Sequence, residues 1–329
     1  MISHSDLAGC PRTSRQSKTC PCRTGAIAAL VLFSISSLPC GLQAQSDNFN
    51  DGNDSGWTRY DPLGDLGLGP QATFTFPDGG YRIRATKNPQ LPPEVSVARA
   101  GSLRQDVTYT NFYVAVDLVK WDDTVRQAFG ILARVDTPGL GTTRGYAFTY
   151  ERGSGVTPTS GDLDISTLTG EQPDGVTTGP SAIHLDATKQ YRFVFIGKGP
   201  NLEGRVYELP DTTTPLISIM GTDSTYASGT AGLVIYDNSG TAGPINPDAT
   251  FDNYFATDVE PPHLLVSINT FGEAAVCWTN PGPAFVLQGA ATLPSTSWTD
   301  LPGPYFSDGD KLCYTDPAAT GIRFFRLRR

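Results

Sequence analysis

The feature that most constrains the fold is a two-residue alternation of apolar with polar or small side chains, repeated in many short runs. Every second position of residues 112–118 is Phe, Val or Leu, and residues 129–135, 146–150 and 191–195 alternate in the same way. Successive side chains of a β-strand point to opposite faces, so this period predicts strands. Because no stretch shows a sustained 3.6-residue apolar period, the chain is predicted to be all-β.

Turn-forming residues separate these runs. Clusters of Gly with Pro, Asp or Asn occur at residues 77–80, 137–139, 173–175 and 238–240. The 329 residues include 35 Gly and 26 Pro. Asp far outnumbers Glu, and Asp favours turns whereas Glu favours helix interiors. Many short strands joined by frequent turns predict a β-sandwich or a β-barrel.

The N-terminus carries the three parts of a secretory signal peptide, predicted to span residues 1–44. Basic residues come first, an apolar run follows at residues 25–38, and small Ala44 precedes the expected cleavage point. The run is shorter than the roughly 20 residues that a membrane-spanning helix needs. No later run is longer, so the mature chain is predicted to have no membrane span and to be secreted, extracellular or on the cell surface.

The mature chain is predicted to contain two domains. A first domain covers residues 45–258, residues 259–263 (Val-Glu-Pro-Pro-His) form a stiff linker, and a small second domain covers residues 264–329. Four of the six cysteines lie in the leader, which leaves Cys277 and Cys313. Two cysteines in an exported chain predict one disulfide. In the chain-entropy model it would stabilise the small domain by roughly 3–4 kcal/mol.

Both ends of the first domain carry short motifs. Residues 47–52 read Asp-Asn-Phe-Asn-Asp-Gly, Ser-Gly-Trp follows at 55–57, and residues 249–254 read Ala-Thr-Phe-Asp-Asn-Tyr. These motifs resemble the two ends of bacterial secreted laminin-G-like domains of the concanavalin A-like lectin/glucanase superfamily. The resemblance covers residues 47–258 and implies a jelly-roll sandwich of two antiparallel sheets. Lectins, glycosidases, adhesion modules and structural units all share that fold.

The tail resembles a small β-domain that often ends secreted bacterial proteins. The resemblance rests on residues 285–288 (Phe-Val-Leu-Gln), 297–299 (Ser-Trp-Thr) and 324–328 (Phe-Phe-Arg-Leu-Arg). It implies a small β-sandwich and defines no function for it.

Catalytic motifs are sparse. Glucanases of this superfamily carry Glu-x-Asp-x-(x)-Glu on one strand, and glycoside hydrolysis needs two carboxyl groups facing one sugar bond. The nearest match is Asp162-Leu163-Asp164, which lacks the following Glu and is interpreted as flanking a turn. After removal of the leader the histidines are His184 and His263, and no Gly-x-Ser-x-Gly motif is present. The protein is therefore more readily interpreted as non-catalytic.

Calcium is a candidate ligand, because it prefers oxygen donors from Asp, Asn and backbone carbonyls. Both ends of the first domain offer such donors. The predicted ligands are Asp47, Asp51 and Asp252, with Asp54 and Asn253 nearby. The alternative interpretation is that these side chains form Asx turns and end strands.

A sugar-binding face is the other candidate site. Aromatic rings stack on sugar faces, while polar side chains bind the hydroxyl groups. Trp121, Gln127, Arg134, Tyr146 and Tyr150 are predicted to line a concave sheet face. In the alternative interpretation the tyrosines belong to the core. Trp57 is interpreted as a packing anchor.

Three functions remain open from the sequence. The first is recognition of a polysaccharide or another extracellular-matrix or cell-surface polymer. The second is a structural or adhesive surface protein without a small ligand, and the third is a glycoside hydrolase. The net charge of −9 argues against a nucleic-acid partner, which would require a basic face.

Overall fold

The computed structural model describes residues 44–92, 97–153, 161–179, 183–237, 246–268, 273–279, 285–292, 297–316 and 323–328. Within these ranges the chain forms β-strands and no α-helix, with one 3-10 turn at Pro77–Gly79. The described residues contain no helix long and apolar enough to cross a membrane. The all-β prediction is confirmed. Of the predicted leader, only Ala44 is described, and it begins the first strand.

Two large antiparallel sheets contain the first fifteen strands. Sheet A consists of β1 (Ala44–Asp47), β3 (Thr73–Thr75), β4 (Tyr81–Arg84), β6 (Phe112–Trp121), β11 (Tyr191–Lys198), β12 (Asn201–Glu208), β13 (Ile217–Thr222) and β15 (Asp248–Thr257). Sheet B consists of β2 (Thr58–Tyr60), β5 (Arg99–Tyr109), β7 (Gln127–Asp136), β8 (Arg144–Arg152), β9 (Gly161–Thr169), β10 (Gln172–Thr178) and β14 (Gly229–Asp237).

The chain crosses repeatedly between these sheets. Sheet A has the order β13-β12-β11-β6-β15-β4-β3, with β1 paired to β15, and sheet B has the order β10-β9-β8-β7-β14-β5-β2. Sequence neighbours β5, β6 and β7 therefore lie in alternate sheets, as do β13, β14 and β15. This two-layer antiparallel arrangement is the predicted jelly-roll sandwich.

The core lies between the inner faces of the two sheets and is rich in aromatic side chains. Strand β6 contributes Phe112, Val114, Val116 and Leu118, as its alternation predicts. Phe148 of β8 packs against Phe193 and Phe195 of β11, with ring centroids 5.8 and 5.7 Å apart. Each large aromatic side chain removes 150–250 Å² from water, so these contacts dominate the burial that holds the sheets together.

Trp57 anchors the N-terminal segment to this core. Its indole N–H donates to Asp47 Oδ2 at 2.8 Å, and its ring packs edge-on against Tyr254 of β15 at 4.7 Å between centroids. Phe49 lies 5.6 Å from the same ring. Trp57 is 9% exposed. The interpretation of Trp57 as a packing anchor is confirmed.

Arg134 is a buried cation at a bulge in β7. The pairing of β7 with β8 shifts register between Ala133 and Asp136, and Arg134 has φ 48°, in the left-handed region. Such a bulge redirects a side chain. The guanidinium donates to three backbone carbonyl groups, at 2.9, 3.0 and 2.7 Å, those of Thr110, Tyr226 and Gly199. One side chain therefore holds three separate connections at one end of the sandwich.

The C-terminal strands form two further small sheets. Sheet C contains β16 (Leu264–Ile268), β17 (Ala274–Thr279), β20 (Phe306–Asp308) and β21 (Lys311–Asp316), and sheet D contains β18 (Val286–Ala290), β19 (Thr299–Asp300) and β22 (Phe324–Arg328). Trp278 of sheet C and Leu287 of sheet D are fully buried in one cluster. A disulfide joins Cys277 to Cys313 across the directly opposed positions of β17 and β21, which confirms the predicted pairing.

The segment that precedes β16 is held to sheet A by one carboxylate. Glu260 accepts from Arg205 at 2.6 Å and from Lys198 at 3.1 Å. Burial acts to raise the pKa of Glu260, but the hydrogen bonds and charge of Arg205 lower it below the usual value. The predicted linker is thereby attached to the outer face of sheet A.

The Arg134→Met variant is expected to be less stable by about 2–5 kcal/mol, because the fold loses three hydrogen bonds from a charged donor to backbone carbonyl groups. Urea unfolding, followed by intrinsic fluorescence, measures this loss as a lower midpoint. Arg144→Met is the matched control, since Arg144 pairs with Asp136 on the surface and should change the midpoint little. Equal midpoints for the two variants would show that Arg134 does not hold the connections together.

Candidate functional site

The outer face of sheet B carries the side chains that alternate with the core residues. In β8 the residues Tyr146, Phe148 and Tyr150 point into the core, so Ala147 and Thr149 point outward. In β9 the outward residues include Ser166 and Leu168, and in β14 they include Val234 and Tyr236. These side chains form the floor of a cleft of about 590 Å³, named here the sheet B cleft. Its volume falls within the range of small-ligand sites.

The floor of the sheet B cleft is apolar. Leu132, Ala147 and Val234 belong to an apolar cluster separate from the core between the sheets, and all are at most 8% exposed. An outer sheet face is normally solvated and polar. Apolar side chains on this face therefore mark it as a surface that is covered by other parts of the molecule or by a ligand.

The walls of the cleft come from connecting segments. Leu63 and Leu68 belong to the segment between β2 and β3, and Leu140 belongs to the turn between β7 and β8. Asp61 shapes the first wall, because its carboxylate accepts from the N–H groups of Gly64 at 3.1 Å and Ala72 at 2.6 Å. The side chain of Asp61 closes this loop on itself and presents the leucines to the cleft.

Glu171 ties three segments together at the rim. It lies in the two-residue turn between β9 and β10, where Gly170 and Glu171 have φ 59° and 69°. Positive φ is uncommon for a residue other than glycine, and two-residue hairpin turns of this type require it. The carboxylate accepts two hydrogen bonds from Arg99, each 2.8 Å, and others from Tyr60 O–H and Gly141 N–H.

The charges of this rim are mutually satisfied. Burial acts to raise the pKa of Glu171, but the donors Arg99, Gly141 and Tyr60 lower it below its ordinary value. Burial, followed by the charge of Glu171, raises the pKa of Tyr60, so that its hydroxyl remains a donor. Thr143 donates to the Tyr60 oxygen at 3.0 Å. At neutral pH, Glu171 and Arg99 are therefore ionised and paired with each other, and Tyr60 is protonated.

Carboxyl groups occupy the outer face beyond the cleft. Asp162 and Asp164 lie within β9, and Asp162 is directly opposite Glu151 of β8. The interpretation of these aspartates as turn flanks was wrong, because their strand extends from Gly161 to Thr169. Burial and then the neighbouring Asp162 raise the pKa of Asp164. Tyr236 donates to Glu151, and burial raises the pKa of Tyr236 well above its ordinary value.

The structure places the predicted sugar-binding residues in the interior. Tyr146 and Tyr150 are fully buried between the sheets, so the alternation was right and the choice of face was wrong. Trp121 is 5% exposed and packs against Phe129 and Tyr191. Side chains on the inner face are enclosed by both sheets and cannot stack on a ligand in the cleft.

The two polar residues of that predicted set have structural roles. Gln127 is fully buried, donates to the carbonyl of Asp122 at 2.9 Å, and accepts from the N–H of Asp248 at 2.5 Å. Arg134 is 2% exposed and holds the three carbonyls described above. Both stabilise connections, which corrects their assignment to a ligand-binding face.

The three predicted calcium ligands do not form one group in the structure. Asp47 uses both carboxylate oxygens, one for the N–H of Phe49 and the other for Trp57. Asp51 accepts from the N–H of Asn53 in an exposed Asx turn, and Asp252 accepts from its neighbour Asn253. No three His, Cys, Asp or Glu side chains of the described ranges form a metal-binding group. Calcium binding by these residues stays a prediction.

Asp252 lines a second cleft, of about 610 Å³, on the outer face of sheet A. Burial, followed by the charges of Asp117 and Asp47, raises its pKa, although the N–H of Asn253 opposes the shift. Asp117 is itself paired with Arg192, at 2.7 and 2.8 Å. The ionised Asp252 carboxylate is thus held in an unfavourable position.

Sequence reasoning missed Tyr60, Arg99, Glu171, Ser166 and Tyr236. Residues 169–172 read Thr-Gly-Glu-Gln between two strands, which is a signal for a tight turn containing an unusually placed Glu. The other four carry no local signal, because their proximity depends on which strands become neighbours.

Comparisons with known proteins give a likeness of fold alone. No protein-family model and no curated protein matches the sequence. A carbohydrate-binding module from Bacillus subtilis shares 16% identity over 61% of this chain and 95% of its own, with a TM-score of 0.41. The basic winged bean lectin with Tn-antigen shares 10% identity, over 66% of this chain and 98% of its own, with a TM-score of 0.42.

One of the solved structures with a similar level of likeness to this chain is an enzyme. The alginate lyase from Klebsiella pneumoniae shares 11% identity over 61% of this chain and 94% of its own, with a TM-score of 0.41. Values this low do not transfer a ligand or an activity to the present chain, and the function has to be argued from its own residues.

Asp252→Asn is expected to raise the urea midpoint at pH 7. A carboxyl group whose pKa is raised by folding costs stability once pH exceeds that pKa, so removing the charge stabilises the folded state. The gain should shrink as pH falls through the raised pKa toward 3.8, the unperturbed value.

Asp211→Asn is the control for this prediction, because hydrogen bonds from Thr213 in an exposed turn lower the pKa of Asp211. The control should not gain stability at pH 7. If Asp252→Asn instead lowered the midpoint in calcium buffer and not in chelator, Asp252 would be a calcium ligand.

Proposed function

We propose that this protein is a secreted recognition protein that binds an extracellular carbohydrate polymer in the sheet B cleft. The supporting observation is the mixed lining of that cleft. Its apolar floor meets the hydroxyl group of the partly exposed Ser166, with the amide of the exposed Gln172 at the rim. A sugar ring has apolar C–H faces and hydroxyl edges, so this combination suits it better than a uniformly polar or charged surface would.

Further support comes from the ordering of the rim. The Glu171 network holds the β9–β10 turn, the Leu140 turn and the β5 edge in one arrangement. A cleft whose walls are held before binding loses little conformational entropy when a ligand enters. The leader-like N-terminus and the Cys277–Cys313 disulfide support an extracellular setting, and the laminin-G-like motifs of the sequence agree with a surface-binding role.

Ser166→Trp is expected to abolish polysaccharide binding, because Ser166 points outward from β9 and an indole there would fill the cleft. Binding is measured by affinity electrophoresis on a panel of neutral and acidic polysaccharides and by a glycan array. Ser218→Trp is the matched control, since Ser218 is an exposed residue of β13 in sheet A.

Two results would contradict this proposal. Equal binding by the two variants would move the ligand away from the sheet B cleft. An absence of binding by the folded wild-type protein across the whole panel would favour a structural or adhesive protein without a small ligand.

A glycoside hydrolase is the second candidate, favoured by the carboxyl groups on the same face. The raised pKa of Asp164 suits a general acid, and Glu151 would serve as base or nucleophile. Release of reducing ends from a bound polysaccharide, lost in Asp164→Asn while binding persists, would establish it. No release by the wild-type protein would leave binding as the function.

A further inference from the structure

The lining of the sheet B cleft is aliphatic to a degree that a plain sugar does not require. Leu63, Leu68 and Leu140 form its walls, while Leu132, Leu168 and Val234 form its floor. Among the described lining residues the aromatic side chains are Tyr60 and Tyr236, and their hydroxyls bind Glu171 and Glu151. Tyr60 is only 7% exposed, so apart from Tyr236 the large apolar side chains of the described lining are aliphatic.

The charged groups that line the cleft are already paired. Arg99 binds Glu171 through two hydrogen bonds, and Asp237 binds Lys87 at 3.3 Å. The carboxylate and ammonium of the second pair are 0% and 7% exposed. Within the described lining, therefore, no charge is left to meet an ionised ligand, and burying such a ligand group without a partner is unfavourable.

The apolar lining continues from the floor to the mouth. Leu132 on the floor is 1% exposed, whereas Leu68 is 38% exposed and its neighbour Leu66 is 62% exposed. Exposed large apolar side chains that adjoin an apolar cleft mark the place where an apolar group enters.

From these observations we infer that the ligand of the sheet B cleft carries an uncharged aliphatic chain on a hydroxyl-rich head, as an acylated or alkylated glycan does. The chain lies along the leucines, and the head meets the hydroxyl of Ser166 and the amide of Gln172. This inference rests on the proposed function and names the ligand class of the same cleft.

Isothermal titration of the purified protein with three probes tests the inference. Octyl β-glucoside has a neutral head and a chain, methyl β-glucoside has the head alone, and octanoate has the chain with a charge; all are used below micelle-forming concentrations. Octyl β-glucoside is expected to bind at least tenfold more tightly than either of the others. Equal affinity for both glucosides, or tighter binding of octanoate, would overturn the inference.

Two variants connect the binding to the cleft. Leu168→Gln places an amide on the floor and is expected to weaken octyl β-glucoside binding at least tenfold. Leu216→Gln is the matched control, because Leu216 is 52% exposed outside the cleft. Ser166→Trp blocks the cleft by a different change, and a thermal melt verifies that each variant is folded. Unchanged binding in both folded cleft variants would place the chain elsewhere and overturn the inference.

The same experiments separate this inference from the proposed function. Polysaccharide binding that is lost in Ser166→Trp, without any binding of octyl β-glucoside, would overturn the aliphatic chain and keep the carbohydrate cleft. Cleft-dependent binding of octyl β-glucoside without binding to any glycan would support the aliphatic site and overturn the proposed function.

Discussion

The buried guanidinium of Arg134 is the interaction on which one end of the sandwich depends. Three connections between strands meet there, and each one places a backbone carbonyl group within hydrogen-bond distance of the guanidinium. A planar cation with five N–H groups can satisfy all three at once. The β7 bulge aims it inward, between the rings of Phe112 and Tyr146. Gly229 allows the close approach, because a Cβ there would lie 2.3 Å from the Arg134 carbonyl carbon.

The two faces of sheet B carry different kinds of side chain, because only the inner face packs against sheet A. The inner face carries the aromatic residues that meet sheet A, and the outer face keeps small or aliphatic residues such as Ala147 and Val234. Small side chains on the outer face leave room above the sheet, and the surrounding loops enclose that room. The Glu171 turn then fixes the rim through Arg99, a residue 72 positions away in sequence. The alternation of side chains along the strands of sheet B therefore produces both the core on the inner face and the cleft on the outer face.

Much of the fold was predictable, since alternation, turn residues and cysteine number are local properties. The strands, the sandwich, the disulfide and the packing role of Trp57 all followed from them. The candidate site was not predictable in the same way. Tyr146 and Tyr150 were assigned to the ligand face, although the alternation itself was correct, because a period of two is unchanged when the faces are exchanged. Which face is buried depends on the partner sheet.

What the sequence by itself determined is therefore the set of strands, their turns and the pairs of faces. Only the tertiary structure decided which face meets the core, which acids share a surface, and where Glu171 finds its donors. The physical reason is the distance in sequence between the residues whose contacts decide each feature. Strand formation depends on neighbours a few residues apart, whereas a cleft is made by groups that long-range antiparallel pairing brings together, such as Tyr60 and Glu171, 111 residues apart.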